Sequence, residues 1–138
     1  MSLANAHAGP VRILIIEDSD DILFILKTEL ESLGYSVEVA REGVKGLETA
    51  RAFRPDVIFS DIGMPGIDGF ELLDRVRQTA ELAAIPVVAL TGFGAQHDAM
   101  LTRMHGFNAH VTKPVDGILL SSLIQTLIAE KPASSTGL

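Results

Sequence analysis

The chain contains no cysteine, which excludes disulfide bonds, thiolate nucleophiles and cysteine-ligated metal sites. It also lacks any apolar run that approaches the roughly 18 residues of a membrane-spanning helix. The first ten residues, MSLANAHAGP, have no apolar core of the kind that a secretory signal peptide carries. Together these absences predict a cytoplasmic protein without a membrane segment.

Basic residues are scarce as well. The 11 Lys and Arg residues stand against 18 Asp and Glu, which gives a formal net charge of −7. Binding to nucleic acid depends on Lys and Arg that neutralise phosphates, so we expect no direct nucleic-acid partner. A surplus of acid of this size is ordinary for a protein that stays in solution.

The chain does contain short apolar runs separated by helical patterns. With 138 residues, 47% of them hydrophobic, it has the size of one domain with a sizeable core. Strands are predicted at 11–16, 35–39, 56–60, 87–90 and 109–112, and a helical pattern follows each of them. We therefore predict one domain at 11–130, a flexible segment at 1–10 and a disordered tail at 131–138.

Five β/α units with short connections predict an α/β fold with a parallel sheet covered by helices on both faces. The flavodoxin-like arrangement, with strand order 2-1-3-4-5, is the natural choice for five strands. The apolar spacing predicts inward-facing positions on the first, second, third and last helices: Leu23, Leu26, Leu30 and Leu33; Val44, Leu47 and Ala50; Phe70, Leu73 and Val76; and Leu119, Leu120, Leu123, Ile124, Leu127 and Ile128. A fourth helix is predicted at about 95–105.

Polar side chains follow four of the predicted strands, at the point where each strand ends. These are Glu17-Asp18, Asp61, Thr91 and Lys113-Pro114. Because the carboxyl ends of parallel strands lie on one edge of the sheet, residues some 95 positions apart in the chain should meet there. The switch point between strands one and three should make the three carboxylates nearest neighbours.

Three crowded carboxylates repel one another. At 4 Å each pair costs on the order of 4 kcal/mol with an effective dielectric constant of 20. Lys113 supplies only one positive charge for the three carboxylates. A divalent ion that prefers oxygen ligands, such as Mg²⁺, would balance the negative charge that is left. With that shielding an aspartate can attack phosphorus and become an aspartyl-phosphate. Asp61 is the best candidate nucleophile, because it stands alone after the central strand.

These motifs together resemble the receiver domain of two-component response regulators. The resemblance covers about 11–129 and rests on Glu17-Asp18, Asp61, Met64-Pro65, Asp68-Gly69, Thr91 and Lys113-Pro114 in that order. Each motif is weak alone, but all of them at strand ends form a specific pattern. The resemblance implies the same fold and a module whose surface is controlled by phosphorylation.

The family pattern implies a metal-binding set. Asp61 matches the phosphate-accepting aspartate and also a ligand of Mg²⁺. Asp18 matches a second direct ligand, Glu17 an acid that acts through water, and the backbone carbonyl of Gly63 the third protein ligand.

The same resemblance implies a phosphoryl-sensing pair, Thr91 and Lys113, and a cis peptide bond between Lys113 and Pro114. One position departs from the family. His110 stands where the family usually has a Tyr or Phe that rotates inward when the threonine moves, and an imidazole is polar where those rings are mainly apolar. Gly63 and Phe93 lie at the positions with which the family adjusts dephosphorylation.

The resemblance implies that a histidine kinase or a histidine phosphotransfer protein donates the phosphoryl group to Asp61. The surface formed by the fourth predicted helix, the fifth strand and the last helix would then change and bind a downstream protein partner. A weak homodimer is compatible with this reading. The chain would act as an enzyme only on its own phosphorylation and dephosphorylation.

Three alternatives remain at this point. The chain can be the receiver of a hybrid kinase that relays phosphate to a histidine phosphotransfer domain. An aspartyl-phosphate phosphatase needs a second acid two residues after the nucleophile, where this chain has Gly63. A flavin or nucleotide binder on this fold needs a phosphate-cradling loop after strand one, and the acidic residues Glu17 to Asp21 would repel phosphate.

Overall fold

The computed structural model describes residues 9–92 and 105–130. Within those ranges the chain forms a five-stranded sheet and four helices. The strands are β1 (Arg12–Ile16), β2 (Ser36–Ala40), β3 (Val57–Asp61), β4 (Val87–Thr91) and β5 (Ala109–Thr112), and the helices are α1 (Asp20–Ser32), α2 (Gly43–Phe53), α3 (Gly69–Gln78) and the C-terminal helix (Gly117–Glu130).

All strand pairs are parallel, and the sheet order is β2-β1-β3-β4-β5, which confirms the predicted flavodoxin-like topology. Most of the predicted flexible segment 1–10, the predicted helix at 95–105 apart from its last position, Phe93 and the tail 131–138 lie outside the described residues. None of the helices in the described ranges is long and apolar enough to cross a membrane.

The core lies in two layers, one on each face of the sheet. Side chains alternate along β1, so Ile13 and Ile15 pack with α1 and the C-terminal helix, whereas Leu14 and Ile16 pack with α2 and α3. Every residue of β3 and β4 is buried. A central strand that is buried on both faces holds the residue at its carboxyl end in a fixed place, and for β3 that residue is Asp61.

The helix boundaries follow the local signals in the sequence. Ser19 caps α1 with its side chain, which accepts a hydrogen bond from the Ile22 N–H, and Asp68 caps α3 in the same way through Glu71. Gly34 ends α1 with a φ of 99°, a left-handed conformation that glycine adopts without strain. Strand β3 starts at Val57 rather than Asp56, whose carboxylate accepts a hydrogen bond from the Arg12 N–H.

Three predicted inward positions are wrong. Leu33, Val44 and Leu119 are 49%, 44% and 49% exposed. Leu33 lies at the end of α1, beyond the helical face that packs on the sheet, and Leu119 lies in the first turn of the C-terminal helix.

Helix α2 packs through small residues instead of large ones. Its buried positions are Gly43, Gly46 and Ala50, and a side chain at Gly46 would collide with Ile16. Because glycine adds no apolar signal to the sequence, Gly43 and Gly46 were not predicted. Of the predicted positions, Ala50 is buried, Leu47 is half-buried and packs against the core, and Val44 is exposed. Helix α3 likewise buries Leu72, which was not predicted, while Phe70 is half-buried.

Gly69, the first residue of α3, lies against the backbone of the predicted phosphate acceptor. A Cβ atom there would lie 2.6 Å from the carbonyl oxygen of Asp61 and 2.8 Å from the Cα of Ile62. Backbone atoms cannot move aside cheaply, so only glycine fits this contact.

We therefore expect Gly69→Ala to lower the free energy of unfolding by about 1–3 kcal/mol, the usual range for an overpacked site. Gly63→Ala is the matched control, because a Cβ at Gly63 meets nothing within 4 Å. It should change stability by less than about 0.5 kcal/mol. Urea denaturation of both variants measures the difference, and equal losses would refute the role of this close contact.

Candidate functional site

Four strand ends bring the predicted site residues to one edge of the sheet. Ile16 pairs with Ser60 in the β1–β3 register, so the next residues, Glu17 and Asp61, lie side by side at the carboxyl edge of the sheet. One carboxylate oxygen from each of Glu17, Asp18 and Asp61 lies within 4.8 Å of the others. Asp18 is exposed and the other two acids are buried, so the cluster opens to solvent on the Asp18 side.

Glu17 is the most enclosed member of the cluster, with only 1% of its surface exposed. Its Oε2 accepts a hydrogen bond from the Ser19 N–H at 3.0 Å, and its own N–H donates to the Ala40 carbonyl at 3.0 Å. Among residues 9–92 and 105–130, no group donates a hydrogen bond of regular geometry to its Oε1, which forms an ion pair with Lys113.

Lys113 reaches over both buried acids. Its Nζ lies 2.6 Å from Glu17 Oε1 and 3.4 Å from Asp61 Oδ2. The Lys113 N–H donates to the Thr91 carbonyl at 2.7 Å, which fixes the backbone of the lysine to the end of β4. The peptide bond between Lys113 and Pro114 is cis.

The burial of these charges changes their acidity. Burial raises the pKa of Glu17, and the charge of Asp61 adds to the rise, while Lys113 and the Ser19 amide oppose it without cancelling it. Burial disfavours the charged form of Lys113, but contact with Glu17 and the charge of Asp61 outweigh it and raise the pKa of the ammonium. The ion contacts therefore favour the charged form of Lys113.

The donor set fits a hard divalent cation. Three carboxylates face one ammonium, so two negative charges remain when all of the acids are ionised. Lys113 pairs with both Glu17 and Asp61, so its single positive charge is already shared between two acids. Mg²⁺ is bound in proteins through one or two carboxylates together with waters and phosphate oxygens, which this open cluster can provide.

Gly63 lies in the loop that follows Asp61. It is exposed, and its N–H donates to Asp61 Oδ1 at 3.3 Å. The loop returns to α3 through a hydrogen bond from the Gly69 N–H to the Ile62 carbonyl at 2.8 Å. The absence of a side chain at Gly63 leaves the approach to Asp61 open from this side.

Thr91 is buried at the end of β4, and its hydroxyl donates to the Val111 carbonyl at 3.4 Å. This bond is long, so the hydroxyl can be drawn away at little cost. His110, the neighbour of Val111, is half-buried and lines a groove with Leu119 and Leu123 of the C-terminal helix.

Sequence reasoning missed the backbone partners of the site. Neither the Ser19 N–H, which fixes Glu17, nor the Val111 carbonyl, which holds the Thr91 hydroxyl, was identified from the sequence. Backbone groups leave no mark in residue types, although a capping serine two positions after a buried acid is a usable local signal.

The chain belongs to the response regulator receiver domain family, whose model matches residues 13–125. Among curated relatives, Protein PilH of Pseudomonas aeruginosa is 36% identical over 86% of this chain and 98% of its own length. The transcriptional regulatory protein AfsQ1 of Streptomyces coelicolor is 36% identical over 90% of this chain, which spans 54% of AfsQ1.

Solved structures give the same assignment. A putative response regulator from Chloroflexus aurantiacus superposes with a TM-score of 0.82 at 30% identity, covering 88% of this chain and 99% of that one. The receiver domain of the sensor histidine kinase PA1611 from Pseudomonas aeruginosa, solved with a magnesium ion coordinated in its active-site cleft, has a TM-score of 0.80 at 27% identity. That match covers 88% of this chain and 100% of the PA1611 domain.

The excess of negative charge in the cluster predicts that repulsion among its acids lowers the free energy of unfolding. In metal-free buffer, Asp18→Asn should raise the free energy of unfolding by roughly 0.5 kcal/mol, the scale of an exposed charge interaction, because it removes repulsion with Glu17 and Asp61. Asp21→Asn is the control, since it removes the same charge from the exposed first turn of α1, where an acid is favourable. Chemical denaturation measures both, and a gain in Asp21→Asn as large as that in Asp18→Asn would contradict the prediction.

Proposed function

We propose that Asp61 accepts a phosphoryl group from a histidine kinase in a Mg²⁺-dependent reaction. The observation that carries the proposal is the Lys113 ammonium at 3.4 Å from Asp61 Oδ2, beside two further acids. An Asp61 oxygen forms a bond to phosphorus while the bond between phosphorus and the donor imidazole breaks. The bonding electron pair returns to the imidazole nitrogen, so no further reactant is needed.

Asp18, Asp61 and the backbone carbonyl of Gly63 would hold the metal directly, with Glu17 acting through water. When bound, Mg²⁺ supplies positive charge that neutralises the phosphoryl oxygens during transfer. The magnesium ion coordinated in the PA1611 receiver supports this assignment. Lys113, which follows the carboxyl end of β5, contributes a second positive charge, and its raised pKa keeps it protonated while it does so.

The response to phosphorylation runs through Thr91. A phosphoryl group on Asp61 offers its hydroxyl charged acceptors, which are stronger than the Val111 carbonyl that it reaches at 3.4 Å. When the Thr91 hydroxyl turns toward the phosphoryl group, the Val111 carbonyl loses its hydrogen bond. The groove between the neighbouring His110 and the C-terminal helix then changes shape. The outcome is a shift between two packings, limited by the contacts that the phosphoryl group makes in each.

The chain catalyses only its own phosphorylation and dephosphorylation in this account. As the acceptor of a phosphoryl group from a kinase that uses ATP, the chain would act in the cytoplasm. A downstream protein, and in some states a second copy of the chain, would bind the changed surface.

A second function is favoured by two of the structural relatives. The receiver domain of a histidine kinase from Syntrophus aciditrophicus has a TM-score of 0.79 at 33% identity, covering 93% of this chain and 98% of that one. The PA1611 receiver is likewise part of a sensor histidine kinase. We therefore also propose a relay, in which Asp61 passes its phosphoryl group on to a histidine phosphotransfer domain.

Intact-mass spectrometry tests the acceptor. After incubation with Mg²⁺ and acetyl phosphate, the protein should gain the mass of one phosphoryl group, with acetate as the leaving group. Asp61→Asn should gain nothing, and the wild-type chain should gain nothing when a chelator removes Mg²⁺.

Asp68→Asn is the matched control for this experiment. It removes a neighbouring carboxylate in the same loop but keeps an oxygen that can cap α3. It should be phosphorylated as well as the wild type. Phosphorylation of Asp61→Asn, or a folded wild-type chain that gains no mass with any small phosphodonor, would overturn the assignment.

If Thr91 transmits the response, its loss should leave phosphorylation of Asp61 intact but abolish the change at the C-terminal helix. Thr91→Ala should still be phosphorylated on Asp61, because the nucleophile and the acids are intact. The amide signals of Leu119 and Leu123 should shift on phosphorylation in the wild type and in Thr91→Ser, which keeps the hydroxyl, but not in Thr91→Ala. Two-dimensional NMR checks this, and equal shifts in Thr91→Ala would show that the hydroxyl does not transmit the change.

A further inference from the structure

The loop between β5 and the C-terminal helix, residues 113–116, carries the site lysine and is held at both of its ends. At its start, the Lys113 N–H donates to the Thr91 carbonyl at 2.7 Å. At its far end, the Gly117 N–H donates to Glu29 Oε1 at 2.6 Å, although the two residues are 88 positions apart. Glu29 belongs to α1, so a side chain of one helix caps the start of another.

The packing around this hydrogen bond is close. Gly117 is buried, and a Cβ atom there would lie 2.6 Å from the Cβ of Glu29 and 3.4 Å from its carbonyl carbon. The Asp116 side chain accepts a hydrogen bond from the Leu119 N–H at 2.8 Å, so two carboxylates meet the first turn of the C-terminal helix. Negative charge at a helix N-terminus is stabilising.

Helix α1 thereby connects the two charged partners of the site. Its cap, Ser19, fixes Glu17 Oε2 through its N–H at 3.0 Å. Glu29, in the last part of the same helix, fixes the end of the loop that begins with Lys113. Glu17 and Lys113, whose charged groups lie 2.6 Å apart, are therefore both held in place by α1.

We propose that Glu29 is a positioning residue for Lys113. Its carboxylate anchors the loop 113–116 on α1 and so sets where the ammonium lies relative to Asp61. The inference rests on the proposed function, because the position of Lys113 matters for phosphoryl transfer to Asp61. Glu29 itself does not touch the acids or the transferred group.

A second hydrogen bond between the region of α1 and the C-terminal helix provides a control that affects stability but not the position of Lys113. The Tyr35 hydroxyl and Ser121 Oγ lie 2.8 Å apart and link the segment after α1 to the C-terminal helix. This contact lies beyond the loop and does not hold it. Tyr35→Phe therefore removes a comparable link without releasing Lys113.

The experiment compares phosphorylation rates at saturating Mg²⁺ and acetyl phosphate, followed by intact mass, in the full chain and three variants. Glu29→Ala should slow the gain of the phosphoryl group on the order of 10-fold, short of the roughly 100-fold loss that a 1 Å misplacement can cause. Glu29→Gln keeps an oxygen that can accept from Gly117 and should restore a rate near that of the wild type. Tyr35→Phe should lose stability but keep the wild-type rate.

NMR of the Gly117 amide provides the readout that does not depend on activity. Its proton should resonate downfield in the wild type and in Glu29→Gln, and move upfield in Glu29→Ala as the hydrogen bond is lost. A wild-type rate in Glu29→Ala, or an equal slowing in Tyr35→Phe, would overturn the positioning role while leaving the proposed function intact. A wild-type chain that is never phosphorylated would overturn both.

Discussion

The interaction on which this structure depends is the ion pair between Lys113 and Glu17. Its single ammonium lies beside three carboxylates and cannot neutralise all of them. Parallel strands deliver their carboxyl ends to one edge, so the three carboxylates cannot avoid one another. The lysine is brought in from the far side of the sheet and compensates part of the charge at 2.6 Å. Two negative charges remain when all three acids are ionised, so the cluster fits a divalent cation. In the proposed function, that cation would be needed before Asp61 attacks phosphorus.

The rest of the fold keeps this unfavourable arrangement in place. Strands β3 and β4 are buried throughout, so Asp61 and Thr91 cannot retreat from the edge. Glycines allow the helices to approach the site closely, with Gly69 against the Asp61 carbonyl and Gly117 against Glu29. The buried apolar layers on both faces of the sheet stabilise the fold that holds these like charges together.

Much of this was accessible from the sequence, because its signals are local. Short apolar runs that end in Glu17, Asp61, Thr91 and Lys113 specify both the sheet and the site edge, and the strand order followed from the number of β/α units. Ala50 on the inward face of α2 was predicted, but the contacts of Gly43 and Gly46 on that face were not, since glycine gives no apolar signal. The Glu29–Gly117 and Thr91–Val111 contacts were missed because they join distant residues through backbone groups, which residue types do not reveal.

The most direct test of the central claim is calorimetric titration of the metal-free chain with Mg²⁺, in parallel with Glu17→Gln and Asp61→Asn. If unbalanced carboxylate charge creates the site, the wild type should bind one ion per chain with saturable heat. Each variant, which removes one negative charge from the cluster, should bind more weakly. Absence of saturable binding to the wild type, or equal affinity in all three proteins, would contradict the account.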